Sequence, residues 1–279
     1  MGGIIWLASY PKSGNTWMRS FLHNLLRNTQ KPVDINDIDN FCLGESSAGW
    51  YARHITKPLG EMELADIARL RPKVHRDFTQ AFPDSVFVKT HSFLGEWHGV
   101  PLHTMDVTAG GIYVLRNPLD VVISMTHHFG LTIDEAIIRM GNEGAVTELG
   151  DTHVPEFHSS WSGHVKSWTA TPNPRLYVVR YEDLLQKPQK YFKQVVSFLG
   201  LKPPRDRLER AIRNSSFKAL KAQEEEIGFK EKSKYAQAFF REGRTEQWRE
   251  KLTPEQIRAI IDRHHAQMER FGYIPKDYA

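Results

Sequence analysis

The sequence predicts an α/β fold: a single P-loop-like domain with a central parallel sheet flanked by helices on both faces. Three observations carry the prediction. The strongest strand signals, residues 4–8, 86–88, 112–115 and 176–179, are continuous apolar runs, as expected of parallel strands buried on both faces. Helical periodicities lie between and after them, and alternating strands and helices imply βαβ crossovers. Finally, no internal repeat, low-complexity tract or linker divides the chain, so residues 1–279 are expected to form one domain. A chain of that length buries enough apolar surface to dispense with disulfide or metal staples.

The helices follow from spacing and punctuation. Trp17, Phe21, Leu22, Leu25 and Leu26 recur at helix spacing after the first strand, as do Val121, Val122, Met125 and Phe129 after the third. Tyr191, Phe192, Val195, Val196 and Leu199 define another, stopped by Gly200. Thr253-Pro254-Glu255-Gln256 supplies an N-cap, a first-turn proline and an acidic first turn. It opens a last helix through Ile257, Ile260, Ile261 and Met268. Residues 31–60 and 130–160 show little periodicity, and 218–238 are charged without apolar rhythm.

Composition narrows the function class. With 40% hydrophobic and 25% charged residues, the chain is not a disordered one. Its 37 basic and 33 acidic residues leave a net charge of +4. That argues weakly for nucleic acid and better for a small anionic ligand. The lone Cys42 builds neither an internal disulfide nor a cysteine metal site, which fits a reducing compartment. No apolar run approaches the ~20 residues of a membrane span. The opening segment lacks a basic region and a signal-peptide core, and Trp6 stands where the myristoylation pattern after Gly2 wants Ser or Thr. A cytoplasmic location is expected.

Ligands of parallel sheets bind beyond the carboxyl ends of the strands. The first strand runs into Ser9-Tyr10-Pro11-Lys12-Ser13-Gly14-Asn15-Thr16-Trp17. A loop of this kind aims backbone N–H groups and a helix N-terminus at an anion. The nucleoside triphosphate pattern places lysine after its last glycine, whereas Lys12 precedes Gly14. The second strong strand ends in Lys89-Thr90-His91. The third leads into Arg116-Asn117-Pro118-Leu119-Asp120, with Ser124 two helical turns on. The fourth runs into Arg180-Tyr181-Glu182-Asp183. Each cluster also has a plainer reading: a strand–helix turn with an incidental lysine, a structural histidine, an Arg116–Asp120 pair, a core tyrosine. The adjacent pairs His127-His128 and His264-His265 point in different directions along a helix, so no metal site is expected.

Taken together, these clusters resemble the sulfotransferases that use 3′-phosphoadenosine 5′-phosphosulfate (PAPS), the cytosolic type and its bacterial relatives. Residues 10–17 look like their 5′-phosphosulfate loop and residues 113–124 like their 3′-phosphate motif. Lys89-Thr90-His91, Tyr181-Glu182-Asp183, Asn214-Ser215-Ser216-Phe217 and Phe239-Phe240-Arg241-Glu242-Gly243 match in order. The resemblance spans about residues 4 to 260. It implies that Lys12, Ser13, Gly14, Asn15, Thr16 and Trp17 hold the 5′-phosphosulfate end, with Trp17 also near the adenine. Arg116 and Ser124, helped by Arg241 and Gly243, should hold the 3′-phosphate, and Tyr181, Ser215 and Phe217 should contact the nucleoside. His91 would be the general base, with Lys12 and Lys89 stabilising charge. PAPS would be the donor, no metal would be required, and a small molecule bearing a hydroxyl or amine would accept the sulfuryl group. A small-molecule kinase and a non-catalytic nucleotide-binding regulator are the rival readings.

The late segment departs from the family pattern. Glu242 stands at the lysine position and Glu246 at the second glycine, while Trp248 is present. Glu242 is expected to face solvent, with Arg244 supplying the missing charge. Arg249, Thr253-Pro254 and Arg258 do not match the dimer signature of vertebrate members, and no oligomeric state is specified. Trp50, Tyr51, Phe93, Trp97, His127, His128, Phe129 and Trp161 are candidates for an aromatic acceptor mouth. Residues 218–238 are expected to be a mobile lid.

Overall fold

In the computed structural model, residues 2–82 and 84–278 are described; Met1, Pro83 and Ala279 of the expected 1–279 domain lie outside them. The chain opens with β1 (Ile4–Ala8), α1 (Asn15–Arg27), α2 (Ile38–Phe41), β2 (Cys42–Gly44), α3 (Ala48–Tyr51) and α4 (Leu64–Ala81). It continues through β3 (Val86–Thr90), a hairpin of β4 (Glu96–Trp97) and β5 (Val100–Pro101), β6 (Thr108–Leu115), α5 (Pro118–Phe129), α6 (Ile133–Met140) and α7 (Trp161–Thr169). The last part holds β7 (Leu176–Arg180), α8 (Tyr181–Gln186), α9 (Pro188–Phe198), α10 (Arg205–Asn214), α11 (Phe217–Ile227), α12 (Trp248–Lys251) and α13 (Pro254–Arg270).

The four apolar runs become β1, β3, β6 and β7 of one parallel sheet, ordered β2-β3-β1-β6-β7. Strand β1 is central because both its faces are apolar. Ile4, Trp6 and Ala8 point into one core with residues of α4, α5, α7 and α13. Leu7 points into the other, with Met18, Phe21, Leu22 and Leu25 of α1 and with α9 and α10. Ala8 stands level with Thr90 of β3 and Tyr113 of β6. Neighbouring strands lie ~4.8 Å apart, so the residues that leave β1, β3 and β6 emerge side by side. No helix among the described residues is long and apolar enough to cross a membrane.

Residues 218–238 hold more regular structure than their composition announces. Their first half is α11, capped by the Ser216 side chain, which accepts from Ala219 N. Leu220 packs with Ile35, Phe229 and Phe240 in a small third core. The second half is pinned as well: Glu224 accepts the backbone N–H groups of Phe239 (2.6 Å) and Phe240 (2.8 Å). Asn36 brackets the turn, accepting from Lys230 N and donating to Gly228 O. A helix with only Leu220 buried shows no apolar rhythm in sequence.

Candidate active site

The loop after β1 is built around two residues in left-handed conformation, Lys12 (φ 65°) and Gly14 (φ 108°). A Cβ on Gly14 would lie 2.7 Å from the Tyr181 ring, so only glycine fits. Gly14 brings no side-chain cap to α1, leaving the first-turn N–H groups to face an anion. The Asn15 side chain is buried, and its amide nitrogen donates to Leu7 O (2.8 Å). Thr16 Oγ1 accepts from Arg19 (3.1 Å) and donates to Glu231 (3.5 Å). Lys12 Nζ rests 4.0 Å from the centre of the Phe239 ring and 3.5 Å from His128 Nδ1. Burial lowers the Lys12 pKa to about 7, helped by Arg116, Arg241 and Lys89 and opposed by Glu231. Burial and Lys12 likewise push His128 down to about 3, so its neutral ring accepts from the lysine.

His91 leaves β3 beside this loop. Its Nδ1 lies 2.8 Å from the carbonyl oxygen of Ser9, which accepts only a hydrogen bond, so Nδ1 carries the proton. Nε2 is thereby left as the basic nitrogen. The ring is fixed from behind: Tyr113 OH meets His164 Nδ1 at 2.8 Å, and His164 Nε2 meets the His91 carbonyl at 3.1 Å. Burial and then Lys89 hold the His91 pKa well below the ordinary histidine value. Lys89 has a carboxylate beside it. Its Nζ lies 3.6 Å from Glu156, whose carboxylate also accepts from Ser46 Oγ (2.9 Å) and stands 3.6 Å from His158 Nε2. Glu156 lay in a stretch without sequence rhythm, and nothing in the pattern marked it.

At the end of β6, Arg116 donates to Lys12 O (3.0 Å) and stacks 4.5 Å from the Tyr181 ring centre. The Arg116–Asp120 pair does not form: Asp120 instead accepts the backbone N–H groups of Glu246 (2.8 Å) and Trp248 (3.2 Å). Burial lowers the Arg241 pKa, with Glu242 opposing and the nearby charge of Arg116 adding to the fall. Glu182, another residue sequence reasoning left without a role, accepts from Asn117 N (2.9 Å) and Tyr273 OH (2.8 Å) and so fixes the turn after Arg116. Gly243 (φ 62°) lies under the Phe217 ring, where a Cβ would come within 2.3 Å. Ser124 is half-buried on α5. Ser215 is not brought into the site: it is fully buried and its hydroxyl donates to Ala211 O (2.8 Å). Tyr51 and Trp161, expected at the acceptor mouth, are core residues, and Trp50 packs on Phe78. Trp97 packs against Phe157, and His128 against Phe129 at the end of α5.

Three buried donors in this region, Ser13 Oγ, Trp17 Nε1 and Arg116 Nε, find no partner among the described residues. Buried polar groups are ordinarily satisfied. Acceptor oxygens are the partners such donors call for, and the rings of Tyr181 and Phe217 pack directly on the backbone at Gly14 and Gly243. No group of three or more His, Cys, Asp or Glu side chains placed to hold a metal occurs among the described residues.

The departures at 242 and 246 have distinct outcomes. Glu242 does not stand alone, since Arg244 donates to it at 2.9 Å. Arg244 also forks onto Glu250 (2.6 and 2.9 Å), so it neutralises carboxylates rather than serving a ligand. Glu246 keeps a left-handed backbone (φ 61°), the conformation a glycine would take without strain. Replacing Glu246 with Gly should raise stability by about 1 kcal/mol, since the exposed Arg249 contact it loses is worth little. Urea unfolding reads this directly; a less stable variant would remove strain as the account of position 246.

The ends of a parallel sheet present Lys12, Lys89, Arg116 and a neutral His91 around a glycine loop, with Arg241 adding charge from the segment before α12, the arrangement of an anion-binding α/β protein. The chain belongs to the sulfotransferase family: the model of the sulfotransferase domain matches residues 4–272. Sulfotransferase 1B1 of Mus musculus is 26% identical over 227 residues, covering 78% of this chain and 66% of that protein. Cytosolic sulfotransferase 5 of Arabidopsis thaliana is 26% identical over 264 residues, covering 89% of this chain and 74% of that protein. The chain thus spans about two thirds to three quarters of these two relatives. In fold it resembles mouse sulfotransferase SULT7A1 complexed with PAP (TM-score 0.62, 20% identity, 95% of this chain and 84% of that one). It also resembles retinol dehydratase in complex with androsterone and PAP (TM-score 0.65, 19% identity, 95% and 80%).

Proposed function

We propose that residues 1–279 act as one cytoplasmic catalytic domain that binds PAPS and transfers its sulfuryl group to a hydroxyl or amine of a small-molecule acceptor, with PAP as the other product. The observation that carries this reading is the tautomer of His91: Nδ1–H is tied to Ser9 O, so the basic nitrogen is Nε2, on a ring that feels the charge of Lys89. When bound, the donor supplies a sulfuryl group already activated as a phosphosulfate anhydride. His91 Nε2 takes the acceptor's proton. Lys12, Ser13 and the α1 N-terminus hold the 5′ end, where negative charge collects. Arg116 and Arg241, with Ser124 and the backbone at Gly243, hold the 3′-phosphate. Trp17, Tyr181 and Phe217 frame the nucleoside. The segment 228–240, which carries Phe239 and leads into Arg241, closes the site from the far side. It is the part of the expected lid free of helix.

The rival kinase reading is weakened by the Lys12–Gly14 order and by a second cationic subsite, Arg116 with Arg241, that ATP has no group to fill. Calorimetry with PAP, AMP and ATP tests the reading. Loss of charge-assisted hydrogen bonds to the 3′-phosphate should make AMP bind about 100-fold more weakly than PAP. Binding of ATP as tight as PAP would overturn the assignment.

A further inference from the structure

Two carboxylates stand among the cations of the donor site: Glu156, paired with Lys89, and Glu231, which meets the first turn of α1. Glu231 is fixed by a two-pronged contact with Arg19, at 2.7 and 2.6 Å. Arg19 is itself 1% exposed, so the pair is rigid. The same carboxylate reaches Thr16 Oγ1 in the first turn of α1 (3.5 Å), at the end of the helix that collects anions. Glu231 acts on Lys12, and Lys89 and His91 act on Glu231, so the carboxylate lies within electrostatic reach of the charged groups at the strand ends. Burial alone would raise the Glu231 pKa, but Arg19 and Lys89 hold it near 2, so the charge persists at neutral pH.

We propose that Glu231, braced by Arg19, is a charge-selecting residue of the donor site that favours a singly charged terminal group over a doubly charged one. The proposal rests on the PAPS reading above and adds to it a means of telling sulfuryl from phosphoryl. The two groups are close in shape, and hydrogen bonding alone separates them poorly. A terminal sulfuryl carries one negative charge, whereas a terminal phosphoryl carries nearly two at pH 7.5. A fixed carboxylate a few ångströms away penalises the second charge.

The test compares three ligands by calorimetry without acceptor: PAPS, 3′-phosphoadenosine 5′-diphosphate and PAP. In the unaltered protein PAPS should bind more tightly than the diphosphate. Glu231→Gln should tighten the diphosphate more than PAPS, shrinking their affinity ratio on the order of tenfold. The double variant Arg19→Gln/Glu231→Gln leaves no unpaired buried guanidinium, and it should shrink the ratio similarly if the single variant folds poorly. A merely structural role would weaken all three ligands together and leave the ratio unchanged, and that result overturns the proposal. Failure of PAP to bind the unaltered protein would instead overturn the donor assignment, so the two failures are distinguishable.

Discussion

Replacing His91 with alanine is expected to lower kcat by about 10²–10⁴-fold, the usual range for a positioned general base, while PAP affinity changes by less than about threefold. The split follows from the geometry. His91 anchors to the loop through the Ser9 carbonyl, and Arg116 reaches the same loop independently through Lys12 O. Loss of the imidazole therefore removes the proton acceptor without dismantling the anion cradle. The pH profile carries a second expectation. Burial and Lys89 hold the His91 pKa well below its ordinary value, so the base stays unprotonated and active as pH falls through 6.5. Single-turnover assays should place the acid limb below that value. Parallel losses of turnover and PAP affinity, or an acid limb at 6.5, would remove His91 from the base role.

The second large effect belongs to Lys12. Lys12→Met should reduce kcat/KM by about 10²–10³-fold, comparable to removing one donor from a preorganised oxyanion site. In the free protein Lys12 has its pKa near 7, lowered by burial and by Arg116, Arg241 and Lys89, and faces Glu231 and His128. An anion bound at the loop favours the charged lysine and raises that value, so binding takes up a proton in the interval between the two. PAP affinity should accordingly fall as pH rises from 7.5 to 9, by at most tenfold per unit. The ligand's own phosphates are already ionised in that range. The proton uptake is measurable by calorimetry in buffers of different ionisation enthalpy. Lys12→Met should abolish both slope and uptake; a slope that survives the substitution would place the titrating group elsewhere.

Legibility in the sequence tracked burial symmetry. Strands β1, β3, β6 and β7 carry apolar side chains toward two cores and read as continuous runs. Edge strand β2 is three residues long and left no such run. Helix α4 escaped because Pro72 interrupts it and charged residues crowd its exposed face. In the site, residues that follow strands were legible, since sheet topology fixes where a chain emerges. Glu156 and Glu231 come from segments whose path is set by tertiary contacts, to Lys89 and Arg19 respectively, and no local pattern announces them. Asn15 and Ser215 show the converse. Each is named by the family resemblance, yet its side chain donates to a backbone carbonyl, Leu7 O or Ala211 O, which local sequence does not disclose.

The central position of β1 has a consequence for biosynthesis. Its last residue, Ala8, is made about a hundred residues before its neighbour Tyr113, and Lys12 in the loop that follows feels the charge of Arg241, near the other end of the chain. Translation at ~5–20 residues per second separates Lys12 from Arg241 by roughly 10–50 s. Both strand partners of β1 are made well inside that interval, so the loop after β1 is flanked by its sheet neighbours before Arg241 exists. The cationic site is therefore completed late in synthesis, although its signature lies near the start of the sequence.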